Sequence, residues 1–168
     1  FLTDELFSQP KPEPVIWPDN AVYFLTDSTY LHFPYFNDNE KKEIVLQQMF
    51  KIRSKLGIPI FSYSIAQNHF HLSCYLEQGT LLGKVWQLLR GGTSYEYRKR
   101  HPIAHKEMWQ TRKTIVIRNV HMKYLVTGYI IGNLLKHREV STFSELNDNR
   151  YSSFWHIARQ YGIEEARS

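Results

Sequence analysis

From His69 onward the chain alternates polar and apolar residues, in the run Asn68-His69-Phe70-His71-Leu72-Ser73-Cys74-Tyr75-Leu76. A period of two belongs to an extended strand, whose successive side chains point to opposite faces. Phe70, Leu72, Cys74 and Leu76 form one face, and His69, His71, Ser73 and Tyr75 the other. Side chains two apart on a strand point the same way, with Cα atoms about 6.5–7 Å apart. Two imidazoles so placed can lean together onto one divalent ion, while the apolar partners lock the strand into a core and hold them rigidly. The plain alternative is a pair of polar residues on a solvated strand face.

A second element decides between the two. Tyr129-Ile130-Ile131-Gly132-Asn133 lies in a run from Val120 to His137 that reads as a helix. Residues four apart share one helical face. Asn133 can therefore act as a ligand to the ion, with Tyr129 as a nucleophile beside it. Alone the pair says little, because helical tyrosines are usually core residues with a bonded hydroxyl. Combined with Asn68-His69-Phe70-His71, it becomes a specific constellation. Tyr124 is five residues before Tyr129 and off its face, which argues against a two-tyrosine site. Cys74 points away from the histidines and is not a nucleophile candidate.

Charge points to a polyanionic partner. Residues 84–123 carry ten cations (Lys84, Arg90, Arg98, Lys99, Arg100, Lys106, Arg112, Lys113, Arg118 and Lys123) against Glu96 and Glu107. Such a concentration is the electrostatic footprint of nucleic acid. His101, His105 and His121, set among these cations, read as phosphate contacts or surface positions rather than metal ligands. A single cysteine excludes an intramolecular disulfide and a cysteine zinc cluster. No apolar run reaches the length of a membrane span. The expected location is cytoplasmic, at the nucleoid if the source is bacterial, and the expected state is a monomer or homodimer.

In chain order, the four prolines of residues 1–18 predict a tail or arm, ahead of a single domain over residues 19–168. A strand is expected over 21–26 and a helix over 39–56, capped by Asn37 or Asp38 and stopped by Gly57. Strands follow over 58–66 and 69–77. A helix over 80–100 is expected to weaken or break at Gly91 and Gly92. A fourth strand over 114–117, the Tyr129 helix, a loop over 139–150 and a last helix over 151–161 complete the chain. This is an α+β plan: the ferredoxin-like split βαβ, one antiparallel sheet with helices on one face, plus an additional helix carrying Tyr129 and a C-terminal helix.

These residues resemble the HUH superfamily of single-stranded DNA endonucleases, and within it the REP-associated tyrosine transposases. The resemblance covers roughly residues 20–155. Its anchors are Asn68-His69-Phe70-His71, Tyr129-Ile130-Ile131-Gly132-Asn133 and Tyr151-Ser152-Ser153-Phe154. It implies a ferredoxin-like core, Mg²⁺ or Mn²⁺, and a covalent phosphotyrosine intermediate. By position it makes His69 and His71 the metal histidines, Tyr129 the nucleophile and Asn133 the third ligand. Family members commonly follow the asparagine with Pro-Val. Here Leu134 and Leu135 follow, so the helix is expected to run on past the site.

The chemistry agrees with the resemblance. Two neutral imidazoles and an amide leave a divalent ion its full charge, which can polarise a scissile phosphate. The imidazoles admit Mn²⁺ as readily as Mg²⁺. The expected function is a single-stranded DNA endonuclease and strand-transferase acting on single-stranded or hairpin DNA. Lys84, Arg90, Arg98, Lys99, Arg100, Arg112, Lys113 and Lys123 are the candidate DNA contacts. Lys136 and Asn68 are auxiliary candidates, Lys136 because it follows Tyr129 by seven residues on the same face. The competing class is a non-catalytic nucleic-acid-binding module of the same fold, stacking bases on Tyr23, Phe61, Tyr63 or Tyr75.

Overall fold

The computed structural model describes residues 16–161, so most of the expected N-terminal arm lies outside them. Four strands form one sheet: β1 (Ala21–Thr29), β2 (Ile60–Ile65), β3 (His69–Leu76) and β4 (Trp109–Ile117). Their order is β2-β3-β1-β4 and every pair is antiparallel. This is the expected split βαβ arrangement, with the histidine strand central. His71 pairs with Thr26 on one side and Ser64 on the other.

Helix α1 (Asn39–Leu56) begins where expected, with the Asp38 carboxylate accepting from the Lys41 amide at 2.9 Å. It ends at Gly57, whose φ of 67° is the left-handed conformation that stops helices cheaply only in glycine. The next helical stretch differs from expectation. Helix α2 (Leu82–Trp86) passes through a π-helical turn (Gln87–Gly92) into α3 (Thr93–Arg100) without a break. The glycines widen the helix rather than end it. At Gly92 the backbone lies against the buried amide of Gln48 on α1, an approach that a Cβ would block.

These helices cover one face of the sheet. Tyr23 and Leu25 of β1 and Phe70, Leu72 and Cys74 of β3 pack there against Val45, Met49 and Ile52 of α1 and Leu89 of the π turn. Burying a side chain of this kind stabilises by about 1.5–3 kcal/mol. Tyr23 is completely enclosed, with its hydroxyl donated to the Pro18 carbonyl at 2.6 Å, so it offers no ring to a base. The strand pattern alone fixes which residues share a face, not which face the main core takes.

The opposite face carries the histidines and is covered by α4 (Val120–Ile131), capped by Asn119. Val126 and Ile130 of α4 pack on Phe24 and Ile117 of the sheet. Helix α5 (Asn133–Lys136) continues beyond Gly132, as the Leu134-Leu135 sequence suggests. A short helix, α6 (Phe143–Asp148), occupies part of the expected loop, and α7 (Phe154–Tyr161) follows. Leu134, Leu146 and Phe154 join these pieces in a satellite core. No helix among the described residues is long and apolar enough to cross a membrane.

The two glycines of the π turn make opposite predictions. Gly91→Ala meets open space and should stabilise the protein by up to about 1 kcal/mol in urea unfolding. Gly92→Ala drives a methyl into Gln48 and should destabilise it by about 1–3 kcal/mol.

Candidate active site

The end of α4 and the start of α5 lie over β3 so that the two pairs of sequence-selected residues meet rung on rung. Asn133 lies over His69, with its Oδ1 2.7 Å from His69 Nε2. Tyr129 lies over His71, their ring centroids 5.1 Å apart. The two imidazoles are themselves 5.1 Å apart, as their i, i+2 spacing requires. Phe24 from β1 closes the far side, edge-on to His71 at 5.6 Å. The structure thus assembles all four residues in one place.

The third sequence anchor holds this assembly together. Residues 151–153 run along the outer edge of β2, where the Ile65 amide donates to the Tyr151 carbonyl at 2.8 Å and the Ser153 amide to the Tyr63 carbonyl at 3.0 Å. From there Ser152 Oγ donates to the Ile131 carbonyl at 3.0 Å, at the end of α4. The Tyr-Ser-Ser motif therefore ties the last turn of α4 to the sheet carrying the histidines.

Burial keeps both imidazoles neutral. His69 is pushed down from its ordinary value to about 4, chiefly by desolvation and against the Asn133 contact. His71 is held well below its ordinary value chiefly by desolvation, and any positive charge on neighbouring His69, His137 or Lys136 would lower it further. A neutral ring has one N–H to share between two neighbours. Asn68 Nδ2 donates to the His32 carbonyl at 3.2 Å, which aims its Oδ1 at His69 Nδ1, 2.8 Å away. The proton then belongs on Nδ1, and the Nε2 lone pair faces the Asn133 oxygen.

Two lone pairs at such a distance call for positive charge beside them. Both nitrogens of His71 are buried without a hydrogen-bond partner, as is Asn133 Nδ2. A donor set of two neutral imidazoles and an amide oxygen fits a divalent cation. Among the described residues no three His, Cys, Asp or Glu side chains converge on a metal-sized point.

His69, His71, Tyr129 and Asn68 open into a cleft of about 520 Å³ lined also by Thr26, Ser28, His32, Gln110, Thr111, Lys113 and His137, with no carboxylate, while Asn133 is buried behind His69. A larger cleft of about 760 Å³ lies between α1, β2 and α7, away from the histidine pair; size does not mark the site here. His137 was not singled out in sequence, although it follows Asn133 by one helical turn; its ring lies 4.7 Å from that of His69. His32 had no local signal, because it reaches the cleft from a turn far away in sequence.

The auxiliary candidates are also in place. Asn68 orients His69, and Lys136 Nζ lies 5.0 Å from the centre of the Tyr129 ring. The basic residues divide. Lys113 lines the cleft, while Lys84, Arg98, Lys99, Arg100 and Arg112 are exposed elsewhere. Arg98 donates to the Lys106 carbonyl at 2.9 Å, Lys99 pairs with Glu96 at 3.1 Å, and Arg112 lies over the Trp86 ring. Lys123 covers the Phe61 ring at 4.2 Å. Arg90 turns its Nε to within 2.8 Å of the buried Asp27 carboxylate, on the α1–α3 side of the sheet. Desolvation still raises Asp27 to about 6 despite that guanidinium.

Residues 29–133 match the family model described as transposase, IS200-like. The fold is similar to that of a REP-associated tyrosine transposase bound to a REP hairpin. The TM-score is 0.72 at 17% identity, over 91% of this chain and 87% of that one. It is also similar to tRNA(His) guanylyltransferase from Saccharomyces cerevisiae, with a TM-score of 0.53 at 12% identity over 95% and 74% of the two chains. At these identities the likeness is one of fold, which different chemistries share. No curated protein sequence matches the chain.

Two measurements separate the roles of the polar residues. Asn68→Ala should weaken divalent-ion binding about 10- to 100-fold in calorimetric titration, as loss of a histidine's outer partner does. Arg90→Ala leaves the Asp27 carboxylate buried without its cation and should cost about 3–5 kcal/mol of stability. Lys113→Ala, at an exposed position, should change unfolding by less than about 0.5 kcal/mol.

Proposed function

The chain belongs to the IS200-like transposase family, and from that premise we propose that it is a metal-dependent single-stranded DNA endonuclease and strand-transferase. It acts through a 5′-phosphotyrosine at hairpin-associated sites. The observation that carries this reading is the meeting of Tyr129 with His71, and of Asn133 with His69, at one carboxylate-free cleft that Tyr129 and both histidines line. A pure binding module of this fold has no need of that juxtaposition. The solved structure of similar fold that holds a REP hairpin supports hairpin DNA as the partner.

His69, His71 and Asn133 would hold the divalent ion, Mg²⁺ or Mn²⁺, and its charge would polarise the scissile phosphate and steady the charge gathering on it. The chain's own groups do the rest. Asn68 keeps the proton of His69 on Nδ1, so that Nε2 faces the site. The Tyr129 oxygen forms a bond to phosphorus as the bond from phosphorus to the 3′-oxygen breaks. The phenol proton, with an ordinary pKa near 10, leaves to water in the open cleft. The ammonium of Lys136, beside the ring, favours the phenolate.

The departing 3′-oxygen takes up a proton and becomes a hydroxyl. One phosphodiester has been exchanged for another, so a 3′-hydroxyl can reverse the step and join strands. Lys113 in the cleft and the exposed cations of α3 supply phosphate contacts, whose strength falls with salt.

Tyr129→Phe keeps the ring and removes the nucleophile. The variant should bind Mn²⁺ and hairpin DNA with wild-type affinity and form no covalent adduct on a denaturing gel, where wild type does. Neutralising Arg98, Lys99 and Arg100 together should flatten the salt dependence of binding without abolishing cleavage. A wild-type protein that binds such DNA but forms no adduct is a binding module instead.

A further inference from the structure

Beside the histidine cleft, β1 ends in a turn whose conformation its own packing does not explain. Tyr30–His32 forms a 3₁₀ turn in which no residue is buried. Leu31 and His32 are both left-handed, with φ of 53° and 54°. For side chains with a Cβ this is unfavourable, and sites that keep such strain are commonly functional. The turn is nonetheless pinned at every point. The Tyr30 amide donates to the Met108 carbonyl at 2.8 Å, and the Leu31 amide to Gln110 Oε1 at 3.0 Å. The His32 carbonyl receives Asn68 Nδ2, from the same amide that orients His69.

The strain buries nothing; it exposes. Leu31 is 66% accessible, Tyr30 40% and Phe33 39%. Beneath them His105 packs edge-on to Tyr30 at 5.1 Å and to Phe33 at 5.2 Å. Its Nδ1 is held 2.7 Å from the Tyr35 hydroxyl. The result is a braced apolar and aromatic ledge next to the cleft, which His32 and Gln110 line from the turn side. The adjoining cleft has a lysine and no carboxylate, which suits an anionic chain with flat bases rather than an acid-bearing cavity for a peptide.

We propose that the 30–33 turn is a nucleobase platform, taking by stacking the base next to the phosphate that Tyr129 addresses. The inference rests on the reading of the cleft as the place where a single strand meets Tyr129. It adds a base-binding element that neither the histidine motif nor the basic segment supplies. Because Asn68 holds both the turn and His69, seating a base on the ledge also steadies the metal-binding rung. Stacking of this kind tolerates any base, so a homopolymer suffices to test it.

The probe is an oligothymidylate of about twelve nucleotides, within the range one such domain covers. Its control is a strand of equal length with abasic sugars, which keeps the phosphates and removes the rings. Wild type should bind the thymidylate about tenfold more tightly than the abasic strand. Tyr30→Ala with Phe33→Ala should erase that difference while leaving abasic affinity and Mn²⁺ affinity unchanged. Leu31→Ser, at the most exposed position, is the second variant should the double change unfold; it should narrow the difference. A preference for thymidylate that survives these substitutions, or none in wild type, overturns the platform. Adduct formation by Tyr129 is read separately. No adduct with a platform-dependent preference would sink the endonuclease reading and keep the platform, and the reverse result would do the opposite.

Discussion

Strand β3 is packed on both faces, and the rest of the molecule follows from that constraint. One face is apolar and sits in the main core; the other carries two histidines under α4. An imidazolium would be costly in such a place, so the same burial that fixes the strand keeps both rings neutral. Neutral rings with buried lone pairs are what a divalent ion requires. The sheet is therefore not a passive scaffold below a surface site: its second layer keeps both imidazoles neutral.

That second layer depends on a long-range tether. Helix α4 is amphipathic only weakly, and its contact with the sheet rests on Val126 and Ile130 and on the bond from Ser152 to its last turn. The Lys42–Glu139 pair, at 2.7 Å, adds a second tie, and Glu139 also accepts from the Gln67 amide at 3.0 Å, beside the histidine strand. The start of the Asn68-to-His71 stretch and the end of α4 are thus both held by residues after position 138. This gives the Tyr-Ser-Ser signature a physical reason: it ties the helix carrying Tyr129 to the sheet carrying His69 and His71.

Much of this was legible in sequence. Alternation at 69–76 and the spacing of Tyr129 and Asn133 report side-chain direction directly, and those four residues come together. The cap and stop of α1 were equally local, because Asp38 and Gly57 act on their own neighbours. What was hidden depends on tertiary contact. Nothing in the sequence says that Tyr23 faces the core, that Arg90 answers Asp27, or that Gly92 admits Gln48 instead of ending a helix. The basic segment looked like one surface but is wound through a helix and a strand, and its charges emerge in several directions.

The two borders of the sheet are treated differently. Beside β2 the backbone is occupied by residues 151–153, whereas β4 pairs only with β1 among the described residues. An open border of this sort is a template on which another chain can add a strand. The run Gln110-Thr111-Arg112-Lys113-Thr114 is largely exposed and carries two adjacent cations. Like charges from two such copies would face each other on edge-to-edge association. An adjacent pair of cations on an open border is thus the kind of charge by which sheets discourage edge-to-edge pairing.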